Sequence, residues 1–259
     1  MTGFFFLFRR ECHRFFKVLV QTVLTPVISA GLYLLIFGVS LGKHIDLSSA
    51  NGNTYLAFLI PGLMMMGLMN NSFQNSSSSL VSSKFTGDIE DLAIVPLSRA
   101  QIIWAMSLAS VIRGAMVAFI TLAVGEIFYY IQYQEFLLPT HPLWLIYFIL
   151  MAGLVFGQLG LIAAFWAKTF DQLSAVSTFV ILPLTYLGGV FIPITQLQPF
   201  WQMISMVNPL LYFINGLRYS MIGVSDVGLW PSVGLVLVVC FVLHLLARRV
   251  LARVSFSRW

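Results

Sequence analysis

Gly87-Asp88-Ile89-Glu90-Asp91-Leu92-Ala93-Ile94-Val95-Pro96-Leu97-Ser98-Arg99 is the stretch on which the reading of this chain turns. It separates the second and third long hydrophobic blocks and holds three of the nine carboxylates. Read as a helix, it has Asp88, Glu90 and Asp91 in its first turn, where the positive end of the dipole favours anions. Ile89, Leu92 and Val95 recur at every third position and form a short apolar stripe. Pro96 cannot continue the hydrogen-bond ladder and stops the helix, and Leu97-Ser98 leads into the next block. Such a helix either docks its stripe on something or is a solvated connector kept in water by its charges. The residues alone leave both readings open.

Outward from this stretch the chain is apolar. Of 259 residues, 59% are hydrophobic and only 9% are charged, and the mean hydropathy is +0.92. Soluble domains carry about 25% charged residues, so the composition is that of an integral membrane protein. The net charge of +5 does not point to nucleic acid, because the basic residues sit at the edges of apolar blocks. There they set topology and meet anionic lipid.

The N-terminal segment 3–17 reads as an amphipathic helix. Phe4, Phe5, Leu7, Phe8, Cys12, Phe15 and Phe16 share one side, and Arg9, Arg10, His13, Arg14 and Lys17 share the other. Phe6 and Glu11 fit neither. This pattern predicts a helix lying in the membrane interface, with Arg9, Arg10, Arg14 and Lys17 at the headgroups; the plainer alternative is a cytoplasmic extension of the first span. The first apolar block is long and follows this segment, unlike a cleavable leader.

Six spans are expected, at about 18–41, 55–80, 101–124, 143–167, 172–192 and 229–247. The second ends in Asn70-Asn71-Ser72-Phe73-Gln74-Asn75-Ser76-Ser77-Ser78-Ser79, a run too polar for lipid. It lines a water-filled vestibule or glues helices together, and the sequence supports the two equally. Arg113 lies inside the third span, a functional-site signal whose partner the sequence does not name; alternatively it snorkels to the surface. Gly153, Gly157 and Gly160 would let the fourth span approach its neighbours closely. Residues 193–228 are apolar but broken by Pro193, Pro199 and Pro209, which suggests a re-entrant helical pair rather than a span or a loop.

Charge then orients the chain. Arg9, Arg10, Arg14, Lys17, Lys84, Arg99, Lys168, Arg248, Arg249, Arg253 and Arg258 all fall on one side, eleven of the 14 Lys and Arg. Lys43 and Arg218 fall on the other. The positive-inside rule makes the first side cytoplasmic, with both termini and the 87–99 stretch on it.

No chemistry of its own is visible. Cys240 and His244 are four apart on a predicted helix, but two ligands do not make a metal site, and no metal is expected. A Walker A run is absent; the nearest string, Gly42-Lys43-His44, lacks the first glycine and the hydroxyl. Nucleophile elbows, zinc helices and paired carboxylates within one span are missing too.

Several motifs carry a resemblance. Gly87-Asp88-Ile89-Glu90-Asp91-Leu92 with Pro96-Leu97-Ser98, and Pro61-Gly62 at the start of span 2, resemble the ABC-2-type permeases, membrane subunits of ABC exporters. So do Gly188-Gly189-Val190-Phe191-Ile192-Pro193 with Leu197 and Pro199-Phe200-Trp201, and Asn208-Pro209-Leu210-Leu211-Tyr212-Phe213 with Gly216-Leu217-Arg218. Together they cover essentially the whole chain in order. The small bacterial permeases related to nodulation-factor, polysaccharide and drug exporters are the most similar branch.

The resemblance implies one ABC-2-type transmembrane domain over 1–259, in an all-α membrane protein of the inner (cytoplasmic) membrane. That domain would have six transmembrane helices, an interface helix, a cytoplasmic coupling helix and a re-entrant pair. It implies two copies of this permease with two copies of a separate ABC ATPase that binds ATP and Mg, leaving this chain without a cofactor. The coupling helix, Gly87, Asp88, Ile89, Glu90, Asp91, Leu92, Val95 and Pro96, would seat on that ATPase. Asn70, Asn71 and Gln74 from span 2 and Phe179, Thr185 and Tyr186 from span 5 are the expected path contacts. The cargo would be amphipathic: a lipid-linked glycan, a lipid or a hydrophobic drug. An ion-gradient-driven transporter or channel is the alternative. It is disfavoured because the carboxylates sit in loops or near span ends rather than at the midplane.

Overall fold

The structure is a computed structural model and describes residues 2–41, 54–87 and 97–253. All regular structure among them is helical. Helix α1 is Thr2–Phe16; α2 is Leu19–Tyr33 and runs on as a π-helix, Leu34–Leu41; α3 is Tyr55–Thr86; α4 is Arg99–Tyr133; α5 is Pro142–Trp166. Helix α6, Phe170–Leu187, contains a π-helical stretch at Ser177–Ile181. It is followed by α7, Pro199–Val207, α8, Pro209–Ile222, and α9, Leu229–Arg253. Six helices, α2 to α6 and α9, are long and apolar enough to cross a membrane. The protein is an all-α membrane protein. Helices α7 and α8, with 9 and 14 residues, are too short to span and fill the broken segment before α9.

Local chemistry sets the boundaries. Thr54 caps α3 by accepting from the Ala57 N–H at 3.3 Å, and Gly87, at φ 82°, ends it in the left-handed conformation that glycine adopts without strain. Ser98 opens α4 with a capping box. Its hydroxyl accepts from Gln101 N at 3.3 Å, and the Gln101 side chain accepts from Ser98 N at 2.8 Å. The 32 residues of α3 extend about 48 Å, well beyond the roughly 30 Å of hydrocarbon that a straight crossing needs.

Helix α3 is the axis of the bundle. It is buried along most of its length and packs on α4, α5 and α8. The polar run is compatible with that position because it divides between two faces. Ser72 donates to Ser110 O at 3.0 Å, Asn75 to Ser110 Oγ at 3.2 Å, and Ser76 pairs with Ser110 Oγ at 2.5 Å. These residues are buried and bind α3 to α4. Asn70, Asn71 and Gln74 lie on the other face. The buried face joins helices, and the other face lines a cleft. Helix α5 approaches closely through its glycines: a Cβ at Gly153 would meet Val111 Cα at 2.8 Å, and one at Gly160 would collide with the Phe73 carbonyl.

At the far end of α3, Lys84 Nζ donates to the carbonyls of Ala164, Phe165 and Ala167 at 2.9, 3.0 and 3.2 Å. It caps the C-terminus of α5, where orphan carbonyls and the helix dipole both favour a cation. Lys84→Met is expected to cost about 1–3 kcal/mol, read as an earlier melt in detergent, with Lys84→Arg retaining part of the loss.

Candidate functional site

The site is built on the second face of α3. Asn70, Asn71 and Gln74, with Ser77 and Ser78 one turn on, form one wall of a half-open cleft of about 670 Å³. Val18, Gln21, Thr22, Thr25 and Pro26 contribute a second wall from the start of α2, and Phe170, Leu173, Ser174 and Ser177 a third from α6. Arg14 of α1 and Arg113 of α4 complete it. Arg113 lies 14 residues after Arg99, about 21 Å along α4, while α2 and α6 contribute to the cleft from their first turns.

Its polar groups are held in place. Ser177 donates to Asn70 Oδ1 at 3.1 Å, while the Asn70 and Asn71 amides donate to the carbonyls of Met66 and Gly67 at 3.1 and 3.0 Å. Ser177 begins the π-helical stretch of α6. Local widening of this kind recurs at functional sites because it redirects a side chain. Gln74 is exposed to the cleft. Arg113 is partly buried, and its Nε has no hydrogen-bond partner among the described residues.

Arg14 and Glu11 fasten α1 beside the cleft. Arg14 donates to Asn75 O at 2.5 Å and to Ser78 Oγ at 3.2 Å. Glu11, 1% exposed, accepts from Ser79 Oγ at 2.6 Å and from Arg14 Nε at 3.4 Å; Arg10 Nε stands 3.5 Å away. Burial lowers the Arg14 pKa, and the Glu11 carboxylate works against that shift. Helix α1 therefore has three sides rather than two. Leu7, Glu11 and Phe15 face the bundle, Phe5, Phe6 and Phe16 are exposed, and Arg9, Arg10 and Lys17 are exposed beside them. Arg14, expected at the headgroups, turns inward because Glu11 and the polar end of α3 offer it partners.

The three path residues expected from span 5 stand apart from the cleft. Phe179 is 77% exposed on the outer face of α6. Thr185 is buried and donates to Ile181 O at 2.7 Å, and Tyr186 packs on Phe191 with ring centroids 5.4 Å apart. Span 5 reaches the cleft through Ser174 and Ser177 instead. Of the expected coupling helix, Asp88, Ile89, Glu90, Asp91, Leu92, Val95 and Pro96 lie outside the described residues, and Gly87 is the αL terminus of α3.

A second polar centre sits at the opposite end of α3. Arg218, counted by sequence as an outer-side charge, is 1% exposed. Its Nη2 donates to Gly189 O at 2.6 Å and its Nε to Phe58 O at 3.4 Å. The guanidinium lies 3.6 Å over the Phe58 ring, and Nη1 is 3.7 Å from Asp226 Oδ2. Asp226 also accepts from the Ile194 N–H at 3.3 Å. Sequence missed this knot, as it missed Glu11; the only signal was charge inside an otherwise apolar segment.

Six helices long and apolar enough to cross a membrane define a multi-pass membrane protein. The chain belongs to the ABC-2 type transporter family, which it matches over residues 2–222. It is 36% identical over 247 residues to the inner membrane transport permease YadH of Escherichia coli K12, covering 95% of this chain and 93% of that one. It is 26% identical over 223 residues to nodulation protein J of Neorhizobium galegae, covering 84% and 80%. With nodulation protein J of Rhizobium leguminosarum bv. viciae it shares 24% identity over 256 residues, covering 95% and 93%. Family membership makes the chain the membrane permease of an ABC transporter, working with a separate ABC ATPase.

Proposed function

We propose that this permease exports an amphipathic cargo, a lipid-linked glycan, lipid or hydrophobic drug, across the inner membrane when its ATPase partner turns over ATP. The observation that carries the reading is the cleft: amides, hydroxyls and arginines beside Val18, Pro26, Phe170 and Leu173, a place that suits a molecule with a polar head and an apolar tail. Two copies of the chain assemble with two ATPases, which hold the ATP and Mg. The positive side of the chain, with both termini, faces the cytoplasm. The exposed aromatics Phe179 and Tyr186 line the path once the second copy closes it. The exposed Phe and Arg residues of α1 rest on lipid.

Segment 87–98 is the coupling helix of this reading. Ile89, Leu92 and Val95 seat in an ATPase groove, and Asp88, Glu90 and Asp91 meet basic groups at its rim, giving orientation more than affinity. An ion-gradient mechanism fits less well, since no carboxylate is among the described residues lining the cleft.

The test is capture of the partner ATPase by the tagged permease, followed by ATP-dependent transport in proteoliposomes. Leu92→Asp or Ile89→Asp is expected to abolish capture while leaving the permease folded by its melting curve. Transport by the permease alone, without nucleotide or ATPase, would defeat the proposal.

A further inference from the structure

The cleft holds more positive charge than its surroundings neutralise. Arg14 is matched by Glu11 at 3.4 Å, but Arg113 has no ion-pair partner among the described residues, and its Nε is buried without a hydrogen bond. A partly buried arginine on an apolar helix is costly unless something compensates it. The nearby groups do not. The Asn70 and Asn71 amides are committed to backbone carbonyls of their own helix. Gln74 reaches into the cleft from the same wall.

We infer that this cleft binds a phosphate group, the head of an amphipathic cargo, at Arg113, with Gln74 as an additional donor, while Arg14, engaged by Glu11, Ser78 and Asn75, bounds the site. Guanidinium groups suit phosphate because their fixed donors match its oxygens in pairs. The cavity, at about 670 Å³, holds a head of this size with room for attached atoms. The apolar residues Val18, Pro26 and Phe170 on the α2 and α6 walls are where the tail leaves. The inference rests on the exporter reading above and names the chemical class of its cargo. A resident membrane phospholipid offers the same phosphate chemistry, so the experiment separates the two sources.

Purified permease in dodecyl maltoside, a phosphate-free detergent, is titrated calorimetrically with dioctanoyl phosphatidic acid, with dioctanoylglycerol and with inorganic phosphate. Phosphatidic acid is expected to bind saturably and at least about tenfold more tightly than the other two. Arg113→Gln is expected to weaken it by at least about tenfold, Arg113→Lys less, and Arg248→Gln on the far end of α9 not at all. Because Arg113→Gln could fail to fold, Gln74→Glu provides an independent variant: Gln74 is exposed, and a carboxylate there should repel phosphatidic acid selectively.

Equal binding of the two lipids, binding indifferent to Arg113 and Gln74, or inorganic phosphate binding as tightly as the lipid would each overturn the inference. In the complex with its ATPase, phosphatidic acid should raise ATP turnover. Binding without stimulation would assign the site to a resident lipid and overturn the cargo assignment. Failure to assemble with any ATPase would sink the exporter reading separately, since the titration needs only the permease.

Discussion

Arg218→Ala is expected to destabilise the protein by about 3–5 kcal/mol, the range for breaking a buried ion pair from one side. Nothing can replace what the guanidinium does. It bridges three segments at once: the start of α3 through Phe58 O, the turn after α6 through Gly189 O, and the segment before α9 through Asp226. Alanine leaves the Gly189 carbonyl without its side-chain donor, a carboxylate without its cation and a void over the Phe58 ring. Arg218→Lys keeps the charge but not the fork, and a single ammonium cannot reach all three acceptors; about 1–3 kcal/mol of the loss should persist. Because the knot is buried, its contribution should hardly change with salt, in contrast to an exposed pair. Melting in detergent, followed by tryptophan fluorescence at low and high salt, checks all three statements. An Arg218→Ala protein that melts with the native one would mean that α7 and α8 are held by apolar packing alone.

This knot also shows where sequence reasoning stops. The spans were legible because a bilayer forces each crossing into one long apolar helix, and that signal is local. The motifs Pro61-Gly62, Gly188 to Pro193 and Asn208 to Arg218 were legible as strings, but their shared purpose was not, because it exists only in three dimensions. Gly62 packs on Val190, where a Cβ would stand 2.8 Å from its carbonyl, and Arg218 reaches Gly189. These strings meet at one end of the bundle. A count of charges between spans gives Arg218 a side but not a burial, and α8 holds it inside the protein.

Depth along a helix was easier to read than direction. Asn70, Asn71 and Gln74 were recognised by cost, since amides in lipid must face something polar, and the structure puts all three in one cleft with Arg113. Phe179, Thr185 and Tyr186 lie beyond Ser177 on the same span and do not line this cleft. The π-helical stretch Ser177–Ile181 inserts extra chain into α6 and rotates everything after it relative to the residues before. Ser174 and Ser177 face the cleft and the later residues do not. Hydrophobic periodicity carries no warning of such a shift.

Glu11→Ala is expected to free α1 from α3, at a cost of about 1–3 kcal/mol. The carboxylate is 1% exposed, but its partners are not equally buried: the Arg14 side chain is 33% exposed and that of Arg10 41%. Water therefore recovers part of what the two arginines lose, and the effect falls below that of breaking the Arg218 knot. Ser79 loses its acceptor at 2.6 Å. Arg14, no longer turned inward by Glu11, keeps only Asn75 and Ser78. Glu11→Gln separates the two contributions, since an amide oxygen still accepts from Ser79 while the charge is gone. The pairing of charges is then isolated by the cycle of Glu11→Ala, Arg14→Ala and the double variant. If Glu11 serves chiefly to compensate Arg14, removing both should cost less than the sum, because no uncompensated cation remains against α3. If the costs simply add, α1 is held by Leu7 and Phe15 against the bundle and by the Ser79 contact, and the ion pair only orients Arg14 toward the cleft. Melting curves for the four proteins, with limited proteolysis near the N-terminus as a second readout, decide between these.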